Sequence, residues 1–324
     1  SLLAVSGDWQ DILLRNGVFQ SYNLSIGGSS ERARYFISAG YYDEEGIAQA
    51  SNFERMSARF STDFDASDWL TVGSSISIAR TKSQELRDRY NVQNPFVAMY
   101  QYNPYESEFL LNSPDPTDIR YDENGDPEYN PTHAGFSISE AILNNTENDE
   151  DIQLDGQIYA QMKLYKGLTF KTTLSGNYWT RQTEYFLKPG SILDDILYPE
   201  PTGSGSFTGT RRYNYQWNNI LTYAHTLKEK HSLSYLAGQE FYSYDRYRNR
   251  VSGEGFANPN LYVLGNAAVI DDGYTLRDQR GKLSFFANAR YDFSKKYLAS
   301  VTYRTDASSS FGRDYRYGHF FGVS

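Results

Sequence analysis

The residue types that carry most protein chemistry are sparse in this chain. Its 324 residues contain four histidines and no cysteine. His133, His225, His231 and His319 are scattered, with no pair at the spacing that sets two metal ligands on one helix face and no serine elbow. The missing cysteine excludes disulfide frameworks and thiolate metal sites. Tyr121 to Tyr129, YDENGDPEY, has the composition of a calcium loop. Its glycine, however, is fourth from Asp122 rather than sixth, and no glutamate completes the frame. An acidic turn is expected there, and the run NNTENDEDIQLD is expected to be a solvated loop. No catalytic residue, cofactor or metal is predicted.

Binding chemistry is better represented. Tyr90, Asn94, Phe96, Tyr100, Tyr102, Tyr105, Arg120 and Tyr121 fall in one polar stretch, with NPFVAMYQYNPYE at its centre. Aromatic faces beside amides suit sugar rings or peptide side chains, because they combine apolar area with a polar tip. Packing of a loop on itself, or contact with a partner protein, explains them equally well. A second group alternates with apolar neighbours: Arg55, Arg59, Asp63, Gln153, Asp155, Gln157, Gln161, Arg290 and Asp292.

The elements that must position that second group are strands. From Gly281 to Asp306, the residues Leu283, Phe285, Ala287, Ala289, Tyr291 and Phe293 alternate with Lys282, Ser284, Asn288, Arg290 and Asp292, and Phe286 is the misfit. After a polar turn, Tyr297, Ala299, Val301 and Tyr303 resume the apolar side, with Leu298 out of pattern. Successive strand side chains point to opposite faces, so this is a hairpin with one apolar and one polar face. Each arm has roughly the ten residues a tilted strand needs to cross a bilayer.

The same two-residue period recurs along the chain in about ten segments. Short turns fall at 27–33, 64–69, 165–167, 226–231 and 292–297, and Gly27 and Gly28 are expected to supply the positive φ of the first. Long loops are expected at 43–54, 81–151, 180–211 and 243–279. Strict short and long alternation puts all short turns at one end of a meander, as in outer-membrane barrels. The predicted fold is therefore mainly β, an antiparallel up-and-down transmembrane barrel wall occupying 1–324. The nine alternating polar residues would then face a lumen. Some would bind a plug or cargo, although the simpler reading, that they only solvate the wall, is preferred because a lumen needs polarity anyway.

Composition agrees. A mean hydropathy of -0.64 suits a barrel, which spends half of each strand on its lumen. No run approaches the roughly 18 apolar residues of a spanning helix. A net charge of -9 without a basic stripe argues against nucleic acid. SLLAVSGDWQ does not read as a signal peptide, and GHFFGVS reads as the start of another strand. A segment of a longer polypeptide is expected.

Two blocks resemble a known family, the SusC/RagA-like TonB-dependent transporters of Bacteroidota. The first carries DWQD, NLSIGG, SAGYYDEEGI, and FERMSARFSTDFD followed by DWL. The second, YDFSKKYLASVTYRTDASSSFGRDYRYGHFFGVS, is similar to the family's aromatic-lysine-tyrosine turn and its R-x-D-x-S-S-x-F-G segment, here Arg304, Asp306, Ser308, Ser309, Phe311 and Gly312. Ser310 stands where a basic residue is expected, and FFGVS departs from a proline-containing form. The resemblance implies about ten strands of a 22-stranded barrel whose N-terminal plug is not in this sequence. It also implies an outer membrane, a SusD-like surface lipoprotein as partner, and TonB acting through the plug. The implied cargo is an oligosaccharide or an oligopeptide, with glycan first on family frequency.

Two rivals remain. A self-contained ten-stranded outer-membrane protease would use His133 with Asp118, Asp122 and Asp126 at its rim. A soluble carbohydrate-binding β protein would show similar alternation.

Overall fold

The computed structural model describes residues 7–85, 93–198, 200 and 202–324. Eleven strands form one sheet in chain order: β1 (Val18–Ser29), β2 (Ala33–Glu45), β3 (Asn52–Ser67), β4 (Leu70–Gln84), β5 (Asn145–Tyr165), β6 (Leu168–Leu187), β7 (Ser204–Leu227), β8 (His231–Phe256), β9 (Ala267–Phe293), β10 (Tyr297–Ser308) and β11 (Tyr317–Val323). Every neighbouring pair is antiparallel. β1 and β11 are the two edges, so the sheet is an open wall rather than a closed barrel. The last strand is the one foreshadowed by GHFFGVS.

Tight turns join β1 to β2, β3 to β4, β5 to β6, β7 to β8 and β9 to β10. Lys228 and Glu229, and again Ser294 and Lys295, adopt positive φ, the conformation whose twist matches a two-stranded hairpin. Asp292 Oδ1 accepts the Lys295 amide at 2.6 Å and closes the second of these turns. At the β5–β6 turn Gly167 has φ +78, and a Cβ there would sit 2.1 Å from the Ala224 carbonyl oxygen.

Three expectations are corrected, and the first is the run NNTENDEDIQLD, which is not a solvated loop but, from Asn145, the start of β5. Gly27 and Gly28 lie inside β1, paired with Phe36 and Tyr35, and neither has positive φ. The tyrosine ring covers Gly28, where a Cβ would meet its hydroxyl at 2.6 Å. Half of the expected long loop at 180–211 and most of that at 243–279 are strand. β7, β8 and β9 have 24, 26 and 27 residues, against the roughly 9–11 that cross a bilayer. Beyond the apolar band both faces of the sheet turn polar, so the two-residue hydrophobic signal vanishes while strand pairing continues. Ion pairs take over: Arg181 with Asp151 at 2.7 Å, Arg277 with Asp245 at 2.6 Å and Arg80 with Glu150 at 2.6 Å. The connections from β6 to β7 and from β8 to β9 are thereby shortened, and the long one lies between β4 and β5.

The buried apolar core is not under the sheet. It lies where the chain before β1 meets two of the connections. Four short helices meet there: α1 (Trp9–Leu13), α2 (Pro95–Gln101), α3 (Ile138–Asn144) and α4 (Ile192–Leu197). Trp9, Leu13, Tyr102, Ile138, Leu187 and Leu193 are part of one cluster. Asn94, Ser137 and Ser191 cap α2, α3 and α4 by accepting amide protons from the first turn.

Candidate functional site

Directly paired residues of an antiparallel ladder share a face, so register carries polarity across the sheet. One row runs Arg59, Ser77, Asp155, Asn177, Asn214, Tyr244 and Arg280. Followed in this way, Arg55, Arg59 and Asp63 of β3, Gln153, Asp155, Gln157 and Gln161 of β5, and Arg290 and Asp292 of β9 all fall on one face. The opposite face carries Leu24, Ile76, Ile158, Leu174, Trp217 and Val301, each between 45% and 76% exposed. On that face aromatic rows bracket the apolar stretch, with Tyr178 paired to Tyr213 at one level and Tyr223 paired to Tyr235 at the other. From Tyr213 to Tyr223, at about 3.4 Å per residue and a tilt of about 40°, the band is roughly 25 Å tall.

The polar face holds a depression of about 450 Å³ that gathers Arg59, Asp155 and Gln157 with Ser77, Asn214, Gln216 and Tyr242. Asp155 is fixed by two amides, Gln153 Nε2 at 2.9 Å and Asn177 Nδ2 at 2.7 Å. Asp63 accepts the Tyr159 hydroxyl at 2.6 Å, and that ring lies over Gly73. Further along, Asp151 receives both Arg181 Nε and Nη2, at 2.8 and 2.7 Å. The structure does not bring the whole predicted set together. Arg55, Asp63 and Gln161 line the wall away from the depression. Arg290 and Asp292 sit at the tight-turn end, in a wider cavity of about 1290 Å³ with Lys166, Ser232, Ser234 and Ser300.

The residues predicted to meet cargo from the long connection divide. Asn94 is buried and caps α2, its side chain accepting the Phe96 amide. Tyr102 is buried against Trp9 in an edge-to-face contact at 4.7 Å and donates to the Phe136 carbonyl. Burial pushes its hydroxyl pKa up to about 12. Phe96, Tyr100, Tyr105 and Tyr121 are exposed, Tyr100 by 82%. Arg120 is ion-paired to Glu128 across a small hairpin. Tyr90 lies outside the described residues. Asp122 closes the tip of that hairpin by accepting the amides of Asn124 and Asp126, with Gly125 at φ +87. His133 meets Glu106 at 2.8 Å and Asn103 at 3.2 Å, and none of Asp118, Asp122 or Asp126 is its partner. That geometry does not assemble the triad the protease reading requires.

Sequence reasoning missed Asn214, level with Asp155, and Trp179, Arg181 and Arg212, which continue the polar face beyond it. It also missed Glu140, which is buried in the helical cluster. Its Oε1 accepts from Asn144 Nδ2 and the Ile192 amide, while Oε2 has no partner among the described residues. Burial raises its pKa above the ordinary carboxylate value.

No family model matches the chain. The TonB-dependent receptor P39 of Formosa agariphila is 28% identical over 323 residues, covering 97% of this chain and 28% of that protein. The TonB-dependent receptor SusC of Bacteroides thetaiotaomicron is 22% identical over 336 residues, 97% of this chain and 31% of SusC. Among solved structures, the RagAB peptide transporter superposes with a TM-score of 0.81 at 24% identity, over 98% of this chain and 35% of that one. Along nearly its whole length the chain is similar to SusC-like TonB-dependent receptors. It spans about a third of the length of these relatives.

Proposed function

We propose that this chain is part of the barrel wall of an outer-membrane importer that takes up oligosaccharides and is driven through TonB. The observation that carries the reading is the two-faced sheet. An apolar, aromatic-bracketed band of roughly membrane height lies on one face, and a continuous polar face lies on the other. No bond is made or broken in this function. The wall supplies binding groups, and gating is a change of conformation elsewhere in the barrel. The depression around Asp155 offers amides, hydroxyls and a guanidinium at a place where cargo or a plug would lie against the wall. A SusD-like surface lipoprotein would cover the end that carries the long connections, where exposed Phe96, Tyr100, Tyr105 and Tyr121 offer aromatic contact surface. Oligopeptide is the second reading of the cargo, favoured by the likeness to the RagAB peptide transporter.

The test is uptake by cells producing the intact protein. Labelled oligosaccharide should enter only when both this protein and TonB are present, and a surface lipoprotein should co-purify with it. Uptake unaffected by loss of TonB would overturn the proposal. Peptide uptake without glycan uptake would replace the cargo.

A further inference from the structure

The polar face changes character above the level of Tyr213. Four successive cross-strand rows of β7, β8 and β9 read Asn214–Tyr244–Arg280, Arg212–Arg246–Asp278, Thr210–Arg248–Leu276 and Thr208–Arg250–Tyr274. These rows hold five arginines and a single carboxylate. Asp278 binds Arg280 at 2.7 Å and reaches Arg246 at only 4.0 Å. Arg212, Arg248 and Arg250 have no ion-pair partner among the described residues.

Arg212 and Arg246 are directly opposite each other across the ladder. Like charges in that position destabilise a sheet, so the wall carries a cost here that an anion would relieve. The Arg212 guanidinium is not loose, since it lies over the Trp179 ring at 4.8 Å. Two orphaned groups mark the same spot: Arg212 Nε, a donor, and Asn214 Oδ1, an acceptor, are shielded from solvent and have no partner among the described residues. One group asks for an anion's oxygen and the other for a hydroxyl or amide proton.

We infer that this patch binds an anionic oligosaccharide, one bearing carboxylate or sulfate groups, on its way through the importer; the inference rests on the import reading above. Arginine forks match the planar or tetrahedral oxygens of such groups. The adjoining depression is lined by serine, asparagine, glutamine and tyrosine, which suit sugar hydroxyls, with Arg59 and an Asp155 already bonded to two amides, and it has none of the apolar sockets that seat peptide side chains. This polar lining favours an acidic glycan over an acidic peptide. The position above the membrane band, on the side of the long connections, makes it a surface that cargo would meet early.

The test uses the intact importer, purified in detergent, and the double variants R212Q/R248Q and R212K/R248K. The probes are hexagalacturonate, a sulfated galactan hexasaccharide, neutral maltohexaose and hexaglutamate, each followed by calorimetry at low and high salt. Binding of at least one acidic hexasaccharide is expected, weakened by salt and weakened about tenfold or more by the glutamine pair. The lysine pair should retain most of it, and hexaglutamate should bind more weakly. Equal binding of acidic glycan by the glutamine variant overturns the inference, as does stronger binding of hexaglutamate or no binding of either acidic glycan. Uptake of the same labelled probes with and without TonB separates the two levels. TonB-dependent entry of neutral glycan without acidic-glycan binding refutes only the anionic specificity, whereas TonB-independent entry of every probe refutes the import reading.

Discussion

Ile158 and Gln157 are neighbours in β5 and lie on opposite faces of the wall. Ile158 pairs with Ser74 and Leu174, and Leu174 pairs with Trp217, midway between the two aromatic rows. It is 56% exposed in this sheet, so lipid is its expected solvent. Arginine on the lipid face at mid-depth costs about 2–4 kcal/mol. Ile158→Arg should therefore lower the folded-to-unfolded ratio roughly 30- to 900-fold. Gln157→Arg puts the same charge one residue away, among Arg59, Asp155 and Gln216 of the depression, where water and a carboxylate are at hand. Its effect should stay within about 0.5 kcal/mol. The assay is urea-dependent folding of the intact protein into lipid vesicles, read by retention of the folded form on an unheated gel. Equal losses for the two variants, or a larger loss for Gln157→Arg, would refute the assignment of faces.

Three further outcomes follow from particular contacts. Gly167→Ala would force a β-carbon against the Ala224 carbonyl at a positive φ, and should cost about 1–3 kcal/mol in the same folding assay. Tyr102→Ala would empty the centre of the helical cluster and should speed hydrogen exchange of 95–101 and 138–144 sharply, while Tyr102→Phe keeps the ring, loses the hydroxyl's bond to Phe136 and should cost about 1 kcal/mol. Glu140 has a raised folded-state pKa, so the folded state holds its proton after the unfolded chain has released it. The cluster is then most stable below the ordinary carboxylate pKa and loses stability as pH rises through the folded value. Exchange of 138–144 and 192–197, corrected for intrinsic rate, should quicken as pH rises through that window. Glu140→Gln should remove the dependence.

The alternation of small apolar and polar residues made the transmembrane strands legible, because one face needs lipid and the other water. The same logic hid the outer halves of β6 to β9. Past Tyr213 neither face needs to be apolar, and YSYDRYRNRVSGEGF carries no hydrophobic period although it is continuous strand. Phe286 looked like a misfit for a related reason. It lies on the polar face with its ring over Gly238, where a Cβ would be 2.2 Å away, and Arg304 lies 5.5 Å above it. Only the register reveals that glycine opposite the phenylalanine. The helices of the cap were signalled locally, since Ser137 and Ser191 each precede an acid by three residues in the capping-box pattern. Their partners are far apart in sequence, so the cluster that joins them was not visible. Asn94 and Tyr102 looked like binding residues because a polar cap and a buried tyrosine share the composition of a sugar site.

With any cysteine outside these 324 residues first replaced by serine, single cysteines from 152 to 163 in the intact protein can each carry a nitroxide spin label in native outer membrane, since these residues include no cysteine of their own. Relaxation by oxygen reports contact with lipid, and relaxation by a nickel chelate reports contact with water. A strict two-residue oscillation is expected, with oxygen maxima at 154, 158, 160 and 162 and nickel maxima at 153, 155, 157, 159 and 161. Oscillation in the reverse phase, or uniform access to nickel along the whole stretch, would contradict a membrane wall.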